Sequence, residues 1–188
     1  MIPEGLSQPL LLASRSPQRR AILAMLGIEF EVVTPDYDES ALPGRPEQIA
    51  VTHARGKAAS VEGELVLGVD TIVVIEGRVL GKPRGEDEAR EYLGLLSGRT
   101  HEVHSGLCLR AGGAEHVRHA VTAVTFAPLD AADVDWYLAS GEWRERAGGY
   151  AVQGLGAALV RSIDGDYQNV VGLPVPALID AMHSVSIR

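Results

Sequence analysis

The stretch at residues 67–84 (LGVDTIVVIEGRVLGKPR) constrains the fold more than any other part of the sequence. It places a single carboxylate, Asp70, between an apolar lead-in and the strand-forming residues 71–75. A Glu76-Gly77 turn and the short apolar run at residues 78–80 follow. Two strand-forming runs separated by such a turn predict a β-hairpin.

Asp70 is expected to be buried in the first strand of this hairpin. A buried carboxylate is costly unless a cation or a metal ion compensates its charge. Lys82, which follows the return strand, is the expected neighbour. In the alternative reading Asp70 begins a tight turn and Lys82 is merely solvated, but five strand-forming residues after an Asp are poor turn chemistry.

The N-terminal part predicts an anion site. A buried strand at residues 9–13 is followed by Ser16 and Pro17, a strong signal for a helix start, and the helix is expected to run to about Leu26 before Gly27. Arg19 and Arg20 lie in its first turn, where the helix dipole prefers acids. Together with the free amides of a helix N-terminus they favour phosphate binding over a merely solvated basic turn.

Two further features leave alternatives open. The loop at residues 34–46 carries the acidic run Asp36-Tyr37-Asp38-Glu39, which either only solubilises the chain or supplies oxygen ligands to a hard divalent cation. A helix predicted at residues 46–63 places Lys57 on its small-residue face, either snorkelling at the edge of that face or aimed into a cleft.

The remaining elements complete a single α/β domain over residues 1–188. Hairpins interleaved with helices predict a mixed sheet rather than a purely parallel one. The other helices are expected at 86–97, 130–140 and 174–183, and the other strands at 30–33, 101–110, 117–126 and 157–163, with a glycine-rich loop at 148–156.

Composition excludes several classes of function. A net charge of −8 argues against a general nucleic-acid binder. No apolar run approaches the roughly 20 residues that span a bilayer, and the opening MIPEGLSQPL lacks the order of a secretory signal. The single cysteine, Cys108, is expected to be a small core residue. A cytoplasmic protein without a membrane partner is the expectation.

The candidate functional groups suit a polyphosphate with its divalent metal ion. Basic groups would hold the phosphates, while carboxylates would hold the metal ion or a water molecule. No G-x-S-x-G motif and no zinc-site spacing is present, so neither nucleophilic catalysis nor a zinc centre is indicated. The groups are Ser14, Arg19, Arg20, Lys57, Lys82, Glu39, Asp70 and Gln153.

Seven sequence blocks, in order, closely resemble the Maf proteins over about Leu10 to Leu178. The blocks are LLASRSPQRR, DYDES, HARGKA, LGVDTIVVIEGRVLGKPR, LSGRTHEVHSG, GGYAVQGLGAALV and IDGDYQNVVGLP. The resemblance implies a nucleoside triphosphate pyrophosphatase that releases a monophosphate and pyrophosphate. It also implies an inosine-triphosphatase-like fold: an elongated, twisted mixed sheet flanked by helices, with a central cleft between two lobes.

The resemblance also implies roles for individual residues. Asp70 matches the general base or the residue that holds an activated water, and Glu39 the acid of the metal site, which would take Mg²⁺ or Mn²⁺. Gln153 matches a glutamine associated with base recognition. The phosphate-binding positions are matched by Ser14, Arg19, Lys57 and Lys82. The family is further associated with restraining cell division and clearing non-standard nucleotides.

Base preference is predicted from the same comparison. THEVHSG, YAVQG and Thr71 are similar to the branch that prefers dTTP and UTP. That branch usually has Arg where this chain has Gln18, and the 7-methyl-GTP branch usually has an aromatic residue there. Gln18, Thr71 and Gln153 are the expected specificity residues, dTTP and UTP the expected substrates, and 7-methyl-GTP the alternative.

Two other classes of function compete with hydrolysis. A nucleotide-binding regulator of cell division would not need both Glu39 and Asp70, and a nucleotidyltransferase would need an acceptor substrate. The long strands and the apolar content permit a homodimer without demanding one.

Overall fold

A computed structural model describes residues 8–40 and 42–186, and it contains a mixed sheet of seven strands. The order in the sheet is β2-β1-β3-β5-β6-β7, and β4 pairs with β3. β1 is parallel to both β2 and β3, whereas β4 and β7 are antiparallel to β3 and β6. The predicted mixed α/β sheet is therefore confirmed. The strands are β1 (Leu10–Ala13), β2 (Phe30–Val33), β3 (Leu65–Ile75), β4 (Arg78–Leu80), β5 (Thr100–Ala111), β6 (Ala114–Phe126) and β7 (Val160–Asp164).

Most helices lie where the sequence pattern predicts them. They are α1 (Pro17–Met25), α2 (Pro46–Ala59), α3 (Glu86–Leu96), α4 (Ala131–Ser140), α5 (Tyr167–Val171) and α6 (Val175–Ser186). Helix α2 ends four residues before the predicted end at residue 63, and the short α5 was not predicted. The strand expected from residue 157 begins only at Val160, because Gly154–Leu159 forms a 3₁₀ helix.

Local signals of the sequence set the helix ends and the turns. The Ser16 hydroxyl accepts a hydrogen bond from the Arg19 amide (3.4 Å), as expected of an N-cap. Gly27 ends α1 with a φ of +68°. Gly112 and Gly113, with φ of +54° and +81°, form the two-residue connection between the neighbouring strands β5 and β6, so these two strands are antiparallel.

The chain divides into two compact units. Unit 1 comprises the described residues within Met1–Thr71, Ser105–Ala120 and Gly172–Arg188, and unit 2 comprises Ile72–His104 and Val121–Val171. Each unit has its own buried apolar cluster, with small residues in unit 1 and large aromatic ones in unit 2. The predicted cleft between two lobes stays a prediction.

Helix α2 packs unusually closely on the sheet within unit 1. A Cβ atom on Gly68 of β3 would lie 2.7 Å from the Ala58 amide nitrogen, and one on Gly106 of β5 would lie 2.5 Å from that of Val51. Side chains larger than hydrogen at both positions would push the helix away from the strands. The two glycines thus bring the small-residue face of α2, and Lys57 with it, close to β3.

No helix in the described ranges is long and apolar enough to cross a membrane. Residues 1–7, on which most of the expectation about a secretory signal rests, lie outside the described residues.

Candidate active site

Asp70 and Lys57 form a buried ion pair in unit 1. The Lys57 Nζ atom lies 2.6 Å from Asp70 Oδ1, and the two residues are only 4% and 6% exposed. Gly68 and Asp70 are two residues apart on β3 and therefore share the face that α2 covers. Lys57 thus compensates the charge of Asp70 and is aimed into the protein rather than snorkelling at the edge of the helix face. The expectation that Lys82 neighbours Asp70 stays a prediction.

The same ammonium group also binds Glu39. Its Nζ atom lies 3.0 Å from Glu39 Oε1, so Lys57 bridges two carboxylates. Glu39 belongs to the acidic loop before α2, and its side chain is 38% exposed. The loop acid therefore lies beside the strand acid, as a shared metal site would require.

Arg19 is held by a second set of contacts. Its guanidinium donates to the Gly172 carbonyl (2.8 Å), to the Ser14 hydroxyl (3.0 Å) and to the Thr71 hydroxyl (3.2 Å). The residue is 8% exposed, and burial lowers the pKa of the guanidinium while the nearby charges of Asp70 and Glu39 oppose that shift. Only three of its five N–H groups donate to described residues, which fits a side chain that also binds an anion.

Ser14 and Thr71 meet Arg19 because of the strand register. β1 and β3 are parallel with Ala13 opposite Gly68, so Ser14 leaves β1 beside the point where β3 reaches Asp70. Thr71, the next residue of β3, points to the opposite face from Asp70. The carboxyl end of β1 therefore lies beside the middle of β3, where Asp70 and Thr71 are placed.

The other predicted residues of α1 lie at the surface of this arrangement. Arg20 is exposed, whereas Gln18 is half-buried and its side-chain carbonyl accepts a hydrogen bond from the Ser16 hydroxyl (3.2 Å). Of the two arginines in the first turn, only Arg19 is built into the buried network.

The carboxylates suit a divalent metal ion that also binds substrate. Glu39 and Asp70 each place an oxygen within 3.0 Å of the same Lys57 nitrogen, so the two acids converge on one point. Mg²⁺ and Mn²⁺ accept one or two protein carboxylates together with waters and phosphate oxygens. Among the described residues, no group of three or more His, Cys, Asp or Glu is arranged as a complete metal cage. The donor set fits such an open site.

Lys82 and Gln153 belong to unit 2. The side chain of Lys82 is half exposed, with its ammonium 4.0 Å from Glu145, and Gln153 is exposed. Gln153 immediately precedes the 3₁₀ helix Gly154–Leu159. The carboxylate of Glu142 accepts hydrogen bonds from the amides of Leu155 (3.0 Å) and Gly156 (3.1 Å), so it fixes the backbone just after Gln153.

Cys108 and His53 are both buried in unit 1, and Cys108 is the small core residue that the sequence predicts. Cys108 is fully buried in the apolar cluster of unit 1, and burial raises the pKa of its thiol to about 11. His53 is 6% exposed and shares a hydrogen bond with the Tyr37 hydroxyl (3.1 Å).

Sequence reasoning missed three residues that contact candidate functional residues or their neighbours within their own unit. Ser105, fully buried, shares a hydrogen bond with Thr71 (2.9 Å), Tyr37 contacts α2, and Glu142 binds the loop after Gln153. Only Tyr37 had a usable signal, namely the isolated glycine, Gly56, within the helical pattern of α2.

Comparison with known proteins gives the family. The sequence matches the family described as Maf-like protein over residues 9–185. The chain belongs to the Maf family. The predicted resemblance is thereby confirmed.

Three relatives of this Maf chain each carry the name dTTP/UTP pyrophosphatase. The protein from Anaeromyxobacter sp. (strain Fw109-5) is 50% identical over 172 residues, which cover 88% of this chain and 84% of that protein. The protein from Thermus thermophilus is 47% identical over 168 residues, 89% of each chain. The protein from Bacillus cereus is 40% identical over 183 residues, 95% of this chain and 96% of that one.

A solved structure supports the fold. The structure of a HAM1 protein from Coxiella burnetii aligns with a TM-score of 0.54 at 18% identity, covering 96% of this chain and 99% of that one. The likeness agrees with the expected inosine-triphosphatase-like α/β fold.

Proposed function

We propose that this Maf protein is a nucleoside triphosphate pyrophosphatase that hydrolyses dTTP and UTP to the monophosphate and pyrophosphate. Relatives of that name match it at 40 to 50% identity over most of its length. The observation that carries the proposal is the buried Asp70, paired with Lys57 (2.6 Å) in the same unit as the buried Arg19. Such a concentration of buried charge is costly unless it serves a charged ligand.

In the proposed reaction, Asp70 takes a proton from the attacking water. The water oxygen forms a bond to the α-phosphorus, and the bond from that phosphorus to the oxygen bridging to the β-phosphorus breaks, so that pyrophosphate leaves. A carboxylate in the general-base role contributes about 10² to 10⁴-fold to the rate. The contact with Lys57 fixes the orientation of the Asp70 carboxylate.

The phosphates would be bound by Ser14, Arg19 and Lys57 of unit 1. The same role for Lys82 is proposed from the sequence resemblance. Donors that are oriented before substrate arrives stabilise developing charge without reorganising. The three hydrogen bonds of Arg19 support such a role, since they fix the plane of the guanidinium.

Glu39 and Asp70 would hold Mg²⁺ or Mn²⁺. When bound, such an ion lowers the pKa of a coordinated water and offsets negative charge on the phosphates. Lys57 already binds both carboxylates, so its ammonium is placed to share substrate phosphate with the ion.

Gln18, Thr71 and Gln153 are the proposed residues of base preference. The Thr71 hydroxyl accepts a hydrogen bond from Arg19, so a change at Thr71 would also disturb the proposed contact of Arg19 with phosphate. The names of the relatives support the dTTP and UTP branch although this chain has Gln18.

The remaining proposals concern the cellular setting. A net charge of −8 supports free nucleotides rather than nucleic acid as the partner. A cytoplasmic location, a homodimer and a link to cell division remain predictions from the sequence.

The proposed function is tested by pyrophosphate release from dTTP, UTP, CTP, 7-methyl-GTP and ITP with Mg²⁺ or Mn²⁺. We expect many turnovers with dTTP and UTP and none from D70N. Preference for 7-methyl-GTP would move the specificity to the alternative branch. Binding without turnover would favour the regulator, and release only with an added acceptor would favour the nucleotidyltransferase.

A further inference from the structure

An aromatic ring lies directly on the backbone of α2. A Cβ atom added to Gly56 would lie 2.5 Å from Cζ and 2.6 Å from Cδ2 of Tyr37, and closer still to Cε2. Side chains do not tolerate separations below 3.0 Å, so the ring occupies the space that any other residue at position 56 would fill. The glycine in the HARGKA block therefore serves as a seat for Tyr37.

A second contact fixes the ring on this seat. His53, one helical turn before Gly56, shares a hydrogen bond with the Tyr37 hydroxyl (3.1 Å), and the two rings meet edge to face with centroids 5.7 Å apart. Burial, together with the charges of Asp70, Asp38 and Glu39, raises the pKa of the Tyr37 hydroxyl. The hydroxyl thus keeps its proton at neutral pH.

These contacts lie next to the candidate metal acid. Glu39 is two residues after Tyr37, and its partner Lys57 directly follows Gly56. Residues 34–40 form neither helix nor strand. The contacts of the Tyr37 side chain with Gly56 and His53 therefore attach this loop directly to α2.

We propose that Tyr37, seated on Gly56 and bonded to His53, is a positioning residue that holds the Glu39 carboxylate against Lys57 and beside Asp70. Tyr37 acts through Glu39 and touches no reacting atom. The inference rests on the proposed function, in which Glu39 serves the metal ion.

The test is the variant G56A. In a helix interior, Ala is favoured over Gly by about 0.5–1 kcal/mol, so α2 itself is not weakened. The added methyl group displaces the Tyr37 ring, and the loop moves with it. The matched control is G94A in α3, where a Cβ atom would meet nothing within 4 Å.

Two readouts follow the displacement, and only one requires turnover. We expect hydrogen exchange of residues 34–40 to rise about 10-fold or more in G56A and to stay unchanged in G94A. We also expect the Mn²⁺ concentration for half-maximal pyrophosphate release to rise about 10-fold, because the loss of a group that orients a metal ligand costs one to two orders of magnitude in metal affinity. G94A should retain the wild-type metal dependence.

Variants of Tyr37 separate the ring from its hydroxyl. Y37F keeps the ring on Gly56 and loses only the hydrogen bond to His53. Its effect on hydrogen exchange and metal dependence should therefore be smaller than that of Y37A. In the double variant Y37A/G56A, the added methyl group has no ring to displace. The defect of the double variant should therefore equal that of Y37A alone.

The outcomes distinguish this inference from the proposed function. Wild-type exchange and metal dependence in G56A, or a G56A effect that adds in full to that of Y37A, would overturn the positioning role. If the wild type releases no pyrophosphate while G56A still frees residues 34–40, the proposed function fails and the docking of the loop by Tyr37 stands.

Discussion

The two units bury polar groups in different ways. Unit 1 buries three ionisable side chains that carry charge, namely Arg19, Lys57 and Asp70. Unit 2 has no buried Asp, Glu, Lys or Arg among its described residues. Its buried polar side chains are His101, His104, Thr122 and Asn169.

The buried polar groups of unit 2 connect its elements, whereas the buried charges of unit 1 do not serve mainly to stabilise the fold. The amide of Asn169 donates to the Val103 carbonyl and to the Thr122 hydroxyl (3.0 Å each), which ties β5, β6 and α5 together within unit 2. A neutral hydrogen-bonded group costs less to bury than a charged one. The charges of unit 1 are more expensive to bury and stabilise the fold less. Charge is thus concentrated where a charged ligand would offset its cost.

The largest effect is expected at the buried acid of unit 1. Asp70→Asn should lower kcat by about 10³-fold or more, since the amide cannot accept the proton from water. Binding of a non-hydrolysable dTTP analogue, measured by calorimetry, should remain largely intact. Turnover near the wild-type value would remove Asp70 from the base role.

Alanine variants of Arg19 and Lys82 compare the effect on KM of losing a buried cation with that of losing a half-exposed one. Arg19→Ala should raise KM about 100-fold, because charge-assisted hydrogen bonds to phosphate are strong. Lys82→Ala should raise KM about 10-fold. Arg19→Lys should recover little, because a lysine cannot reproduce the three-way geometry. Steady-state kinetics with unchanged KM and kcat in both alanine variants would contradict the phosphate assignments.

A buried histidine of unit 2 makes stability depend on pH. His101 is 2% exposed and shares a hydrogen bond with the Tyr150 hydroxyl (2.8 Å), and burial lowers its pKa from an ordinary 6.5 to about 4. Between pH 6.5 and pH 4, His101 binds a proton in the unfolded chain but not in the folded chain. The free energy of unfolding should therefore fall by about 3 kcal/mol as the pH drops from 6.5 to 4.

Chemical denaturation of wild type and His101→Gln across this range checks the prediction. The variant can still meet the Tyr150 hydroxyl but does not titrate, so its stability should depend less steeply on pH. Parallel curves for the two proteins would rule out His101 as the source.

The smallest effect concerns the backbone of unit 2 around Gln153. Gln153→Ala should reduce the preference for dTTP over CTP, in kcat/KM, by about 10-fold. Glu142→Ala should shift the same ratio by about 3-fold, since it frees the amides of Leu155 and Gly156 without removing the side chain of Gln153. Asp135→Ala, on the exposed surface of α4, is the control. An unchanged ratio in Gln153→Ala would remove this residue from base recognition.

Much of the fold could be predicted because its signals are local. The Ser16-Pro17 start of α1, the Glu76-Gly77 turn and the Gly112-Gly113 turn each depend on the backbone preferences of a few adjacent residues. The 3₁₀ helix at 154–159 could not be predicted in this way. Its first amides are satisfied by Glu142, twelve residues before its start.

The candidate site likewise has features that follow from the local sequence and features that do not. The sequence by itself determined that Asp70 would be buried in a strand, that Ser16 would begin a helix carrying Arg19, and that the chain resembles the Maf family. Only the tertiary structure decided that Lys57 is a partner of Asp70, that Thr71 and Ser105 lie behind Arg19, and that Tyr37 rests on Gly56. Burial and capping follow from residues next to one another, whereas the pairing of charges depends on how closely α2 lies on β3, a distance set by the glycines at positions 68 and 106.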